Sequence, residues 1–134
     1  MRVVLDTIVV VTGLLNDTGI PAQIVELCIS GDLELAVDGR ILAEYRDVQG
    51  RPELALNDHD VADFLALASH AEHVVGVPLP VALPDPDDLP FLEVAFAAAV
   101  DALVTGNTKH FRAHGGKIDI PILTPRQFLD RLTR

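Results

Sequence analysis

Arg2-Val3-Val4-Leu5-Asp6-Thr7 is the stretch on which the reading of the whole chain turns. Three consecutive aliphatics with no polar alternation describe a short strand buried on both faces, and the carboxylate of Asp6 ends it. Working outward, Leu33–Val37 and Ala102–Val104 repeat the pattern, Ile120–Leu123 reads as a last strand and Val74–Val77 as a short one. Helical stretches separate them. Pro21 opens one that Gly31 stops, and Asp38 caps another through about Val48, with Ile41, Leu42, Tyr45 and Val48 on one face. Asn57 or Asp58 caps a third, in which Val61, Phe64, Leu65 and Ala68 recur at helical spacing, and a fourth runs from about Asp87 to Val100. Thr124-Pro125-Arg126-Gln127 is a capping box with proline at the first helical position, opening a C-terminal helix. Strands alternating with helices define an α/β fold with a mainly parallel sheet, and such sheets bind ligands beyond the carboxyl ends of their strands.

The 134 residues make one ordinary domain, 1–134, large enough to bury a core. Hydrophobic residues are 49% and aromatics 4% of the chain, so an aliphatic core is expected. A mean hydropathy of +0.33 leaves apolar surface to cover, and a homodimer is the expected way to cover it. Ile8–Leu15 is too short for a membrane span and is broken by Thr12 and Gly13, while Asp6 interrupts any leader-like run. A cytoplasmic protein with no membrane partner is therefore expected. Cys28 is the single cysteine, lying among Ile24, Val25, Leu27 and Ile29, and reads as a small buried hydrophobe.

The formal net charge of −10 argues against loose binding to nucleic acid, because phosphate is repelled by an acidic surface. The charge is uneven. From Val104 onward six basic residues stand against two acids, a segment of net +4 that leaves −14 on the remainder. An acidic body with a basic end suits a metal site flanked by phosphate contacts.

Three acids stand out by position. Asp6 ends the first strand, Glu44 borders the apolar face of the helix after the second, one turn from Ile41 and from Val48, and Asp88 lies on the inward stripe of Phe91, Leu92, Ala95 and Ala99. Carboxylates at such positions are costly unless paired or bound to a cation, and no Lys or Arg is spaced to neutralise all three. Converging carboxylates raise one another's pKa, and a hard divalent ion with oxygen ligands removes that penalty. Asp85 and Asp87 read as loop and capping acids. His70 and His73 have metal-sharing spacing but no third ligand nearby, and read as surface residues. His110 and His114 are placed either to reach substrate or as plain loop residues. Lys109, close to Asn107, is the first candidate for a phosphate contact, and Arg46, two positions after Glu44, the second.

Val3-Val4-Leu5-Asp6-Thr7, Ile41-Leu42-Ala43-Glu44-Tyr45, Asp85-Pro86-Asp87-Asp88 with Phe91, Leu92 and Ala95, and Leu103-Val104-Thr105-Gly106-Asn107 together resemble the PIN-domain nucleases. The resemblance covers nearly the whole chain, in order, and is to the branch of VapC-like toxins of toxin–antitoxin pairs. It implies a three-layer α/β/α sandwich, a cluster of acids holding Mg²⁺ or Mn²⁺, and metal-assisted hydrolysis of RNA phosphodiesters, with an antitoxin tail covering the cleft. Carried over residue by residue, it makes Asp6, Glu44 and Asp88 the metal and catalytic acids. Thr105 becomes a hydroxyl donor to a carboxylate or a metal-bound water, and Asn107 stands where many members carry a fourth acid. Two departures are expected to weaken the site: Ile8 replaces the usual Asn after Asp6-Thr7, and Asn107 is neutral. Glu93, five residues after Asp88, is expected at the rim or in solvent.

The leading expectation is an RNA endonuclease held in check by an antitoxin. A degenerate domain that binds RNA or antitoxin without turnover is the alternative. Phosphoryl transfer through an aspartyl nucleophile ranks third, because the second acid that chemistry places two residues on is Ile8.

Overall fold

The computed structural model describes residues 1–111 and 119–133. Its elements run β1 (Arg2–Leu5), α1 (Thr7–Leu15), α2 (Ile20–Ile29), β2 (Glu34–Val37), α3 (Gly39–Gln49), α4 (Asp58–His70), β3 (Glu72–His73), α5 (Leu89–Ala97), β4 (Ala102–Val104), β5 (Ile122–Leu123) and α6 (Pro125–Leu132), with short 3₁₀ turns at Pro52–Leu54, Pro86–Asp88 and Thr108–Phe111. The five strands form one sheet in the order β3-β2-β1-β4-β5, every pair parallel. The parallel sheet is the one that the apolar strand runs and their helical spacers imply, and the α/β/α sandwich is the one the resemblance implies. β1 sits at the centre, with Val3 opposite Leu35 on one side and Ala102 on the other, and Val3, Val4 and Leu5 are fully buried.

Local signals hold where they are strong. The Asp38 side chain accepts from the Ile41 N–H, Asn57 caps α4 through the His59 and Asp60 N–H groups, and Thr124 and Gln127 exchange both bonds of the capping box. The core is less aliphatic than the composition implies. Five of the six aromatics, Tyr45, Phe64, Phe91, Phe111 and Phe128, are among the largest fully buried side chains, with Tyr45 edge-on to Phe64 at 5.5 Å between ring centroids. Cys28 is buried as a small apolar group, and burial pushes its thiol up to about 12.

Three elements differ from the sequence reading. The run Ile8–Leu15, taken only as an apolar segment broken by Thr12 and Gly13, is part of helix α1. Its β-branched residues disfavour a helix locally, and packing against α2 overrides that preference. Gly13 makes the contact close: a Cβ there would lie 2.9 Å from Val25 Cγ2 and 3.0 Å from the Pro21 carbonyl oxygen. The strand expected at Val74–Val77 is instead Glu72–His73, because its partner β2 ends at Val37, where Asp38 turns the chain into α3. Only the Val74 N–H, donating to the Val37 carbonyl, extends the ladder, and Val75 is 91% exposed. The helix expected from Asp87 to Val100 begins at Leu89 and stops at Ala97. Ala99 adopts φ +49°, the Ala99 N–H donates to the Phe96 carbonyl and the Val100 N–H to the Ala95 carbonyl, which is the Schellman helix stop.

These two positions oppose helix propensity in opposite senses. Gly13→Ala is expected to lower stability by about 1–2 kcal/mol through the clash with the Pro21 backbone. Ala99→Gly is expected to raise it by about 0.5–1 kcal/mol by relieving a left-handed alanine. Urea unfolding midpoints of the two variants check both signs.

Candidate active site

The strand order reverses direction around β1: the chain moves from β1 to β2 and β3 on one side, then returns to β4 and β5 on the other. A crevice opens at such a switch point, beyond the carboxyl ends of the strands. Leu5 pairs with Val104, so the next residues, Asp6 and Thr105, emerge side by side. The Asp6 N–H donates to the Val104 carbonyl at 2.9 Å, and the Thr105 hydroxyl donates to Asp6 Oδ2 at 2.8 Å. Asp6 stands at the start of α1, but its side chain does not cap the helix and turns to Thr105 instead. The Asn107 N–H closes the turn by donating to Thr105 Oγ1 at 3.1 Å.

Helix α3 supplies Glu44. Its neighbour Tyr45 is fully buried, and the Tyr45 hydroxyl donates to the Leu5 carbonyl, fastening α3 under the end of β1. Glu44 is thereby turned towards α1, where the Thr7 hydroxyl donates to Glu44 Oε2. Thr7 is a site residue the sequence reading passed over; only its place directly after Asp6 marked it, since the helix it opens was not foreseen. Asp88 closes the 3₁₀ turn before α5, and its Oδ2 lies 3.6 Å from His110 Nδ1. His110 Nε2 in turn meets Asn107 Nδ2 at 3.0 Å.

Asp6, Thr7, Glu44, Asp88, Asn107 and His110 thus line a single cleft of about 730 Å³. Thr105 is buried behind it, acting through Asp6. Lys109 is exposed on the Thr108–Phe111 turn, outside the lining of the cleft. Arg46 points the other way, to Ser69 Oγ on α4 at 3.2 Å, because two positions along a helix is more than half a turn from Glu44. Arg51 lines the cleft instead. It lies beyond the Gly50 cap of α3 in extended backbone, so helical spacing from Glu44 could not have found it. Of the two histidines considered as a pair, both are exposed, and His73 is held locally by the Ser69 carbonyl. His114 lies outside the described residues.

Glu93, expected in solvent or at the rim, is only 4% exposed. Its Oε1 accepts from Arg40 Nη1 at 2.8 Å and its Oε2 from the Leu79 N–H at 2.9 Å, while Arg40 Nη2 meets Asp38 at 2.8 Å. The correction is physical: the loop after β3 passes over the outer flank of α5 and covers what a helical wheel places outside. This ion pair also ties α3, which carries Glu44, to α5, which follows Asp88.

The electrostatics of the cleft are those of crowded acids. Burial holds the Asp6 carboxyl above its usual range, opposed in part by the Thr105 hydroxyl and the Thr7 N–H. Burial also raises Glu44, against the Thr7 hydrogen bond and with the charges of Asp6, Asp87 and Asp85. Asp88 is pushed up to about 6 by burial and by Asp6, Asp85 and Glu44, with His110 pulling the other way. Asp85 does cap the 3₁₀ turn through the Asp87 N–H, as read, yet its charge also reaches the cluster. Among the described residues no three carboxylate, imidazole or thiol groups close into a ready-made metal cage. The donor set itself, oxygen only and short of cationic partners, is of the kind that hard divalent ions take.

The α/β/α sandwich thus carries a cleft of carboxylates at the switch point of a parallel sheet. A family model for the PIN domain matches residues 2–109, and the chain belongs to that family. PIN domains are generally nucleases, and such nucleases generally use divalent metals. No curated protein matches the chain. Among the described residues no single helix is long and apolar enough to cross a membrane.

With its folded pKa above the free value of 3.8, Asp88 binds its proton more tightly in the native state than in the unfolded chain. Metal-free stability therefore falls as pH rises from about 4 to about 6. Asp88→Asn is expected to raise the melting temperature by a few degrees at pH 7.5 in EDTA, with the gain vanishing near pH 4. Scanning calorimetry at both pH values checks the sign.

Proposed function

We propose that the protein is a Mg²⁺- or Mn²⁺-dependent RNA endonuclease, the toxin of a toxin–antitoxin pair. The observation that carries the reading is the convergence of Asp6, Glu44 and Asp88 on one cleft of a PIN domain, each carboxyl raised above its ordinary pKa. Asp6, Glu44 and Asp88 would hold the ion, which supplies charge neutralisation for a phosphodiester and a lowered pKa for the attacking water. Thr105 and Thr7 fix the orientation of the Asp6 and Glu44 carboxylates. His110, with Nδ1 against Asp88 and Nε2 against Asn107, links those two side chains at the mouth of the cleft. Arg51, and Lys109 from the neighbouring turn, provide the cations for flanking phosphates.

A basic antitoxin segment suits a cleft this acidic in a chain of net charge −10, and the exposed Phe96, Leu15 and Ile29 are surface that a partner or a second copy would cover. Ile8 and Asn107 favour a second reading, a domain that keeps the contacts and has lost turnover. Single-stranded and structured RNA incubated with Mg²⁺ or Mn²⁺ tests both. Cleavage reduced by about 100-fold or more in Asp6→Asn is the expected result. An inert wild type beside a cleaving Ile8→Asn variant would establish the degenerate domain. If neither cleaves and neither takes up Mn²⁺ in calorimetry, the enzymatic reading fails.

A further inference from the structure

The peptide that delivers Asp6 is fastened at both of its polar ends. In a trans peptide the N–H and the C=O point in opposite directions. The Asp6 N–H donates to the Val104 carbonyl on the β4 side at 2.9 Å, so the carbonyl of the same peptide, that of Leu5, faces the β2 side. On that side strand pairing runs out early. The register of β1 with β2 covers Arg2 and Val3, whereas that with β4 continues to Leu5. The Tyr45 hydroxyl takes the place of a strand donor and binds the Leu5 carbonyl. One residue earlier on α3, Glu44 accepts from the hydroxyl of Thr7. Consecutive residues of α3 thus grip the chain immediately before and immediately after Asp6.

The ring of Tyr45 reaches the third acid-bearing element as well. Its centroid lies 6.4 Å from that of Phe91, three residues after Asp88, and 5.5 Å from that of Phe64 on α4. Phenylalanine would supply that packing. The hydroxyl adds nothing to it and, fully buried, costs free energy unless it is paired. Burial, with the charges of Cys28, Asp6 and Glu44 acting the same way, pushes the phenol well above its usual range and keeps it a donor. We propose that Tyr45 is a positioning residue of the site, its hydroxyl fixing the plane of the Leu5–Asp6 peptide and so the direction in which Asp6 presents its carboxylate beside Glu44 and Asp88. The consequence for an ion rests on the metal-dependent reading; the clamp on the peptide is argued from the backbone alone. Without the hydroxyl, the peptide is held only through its N–H, and a buried carbonyl is left without that donor. Mg²⁺ demands near-ideal octahedral oxygen geometry at about 2.1 Å, so a tilt of one carboxylate is felt in affinity.

The test compares Tyr45→Phe, which keeps the ring, with Phe64→Leu, which disturbs the same ring contact without touching Leu5. Both are made in the full chain and titrated with Mn²⁺ in a calorimeter beside the wild type. Tyr45→Phe is expected to bind Mn²⁺ about tenfold or more weakly, and Phe64→Leu within about twofold of wild type even where its melting temperature falls further. A merely structural role would make affinity follow melting temperature in both variants, and that result overturns the proposal, as does equal affinity in wild type and Tyr45→Phe. A second measurement needs no ion. Hydrogen exchange at the Asp6 amide, taken relative to the Val4 amide, is expected to quicken roughly tenfold in Tyr45→Phe and to stay unchanged in Phe64→Leu. Should the wild type take up no Mn²⁺, the metal-dependent reading fails and the exchange ratio alone decides: a quickened Asp6 amide upholds the clamp, and an unchanged one overturns it.

Discussion

The parallel pairing of β1 with β4 is the constraint on which the cleft depends. Leu5 and Val104 are opposite one another and fully buried, so the first residues able to carry polar groups are Asp6 and Thr105, delivered to the same edge in hydrogen-bonding reach. A register slip of one residue would turn Asp6 into the core and strand its carboxylate without a donor. Helices then add to this fixed point. Tyr45 ties α3 to the Leu5 carbonyl, and the Arg40–Glu93 pair ties α5 to α3, so Glu44 and Asp88 are positioned through contacts that are themselves buried or half-buried.

Such a site works against the stability of the metal-free chain. Three carboxyls each raised by burial, two of them also by their neighbours, mean that the folded protein at neutral pH carries repulsion the unfolded chain does not. The threonine hydroxyls moderate this without cancelling it, since each donates one hydrogen bond to one carboxylate. Residues selected for folding alone would not collect here, which is why the cluster is informative about chemistry.

Much of the architecture was legible because its signals are local. An unbroken aliphatic triplet, a cap at Asp38 and a capping box at Thr124 depend only on near neighbours, and each falls where it was read. Helix α1 was not legible, since Ile8-Val9-Val10-Val11-Thr12 favours extended backbone and only packing on α2 makes it helical. Glu93 was misplaced for a similar reason: the strand-to-helix loop that buries it is distant in sequence, and Arg40 lies 53 residues away. Asp6, Glu44 and Asp88 could be selected from strand-end and helix-face positions. Arg51 could not be selected, because it sits past the end of its helix, where the path of the turn rather than helical spacing brings it to the cleft.

The outermost strands, β3 and β5, are two residues long, and the ladder stops soon after His73 on one side and at Leu123 on the other. Neighbouring Pro78 and Pro80 lie in the segment that leaves the first of these edges. Short rims of this kind offer few free N–H and C=O groups in a row, so another polypeptide gains little by adding itself as a sixth strand. The centre of the sheet can therefore remain long-lived and strongly apolar without becoming a template for aggregation. Molecules that associate with this fold are steered to its helical flanks and to the mouth of the crevice, where side chains rather than backbone decide what is held.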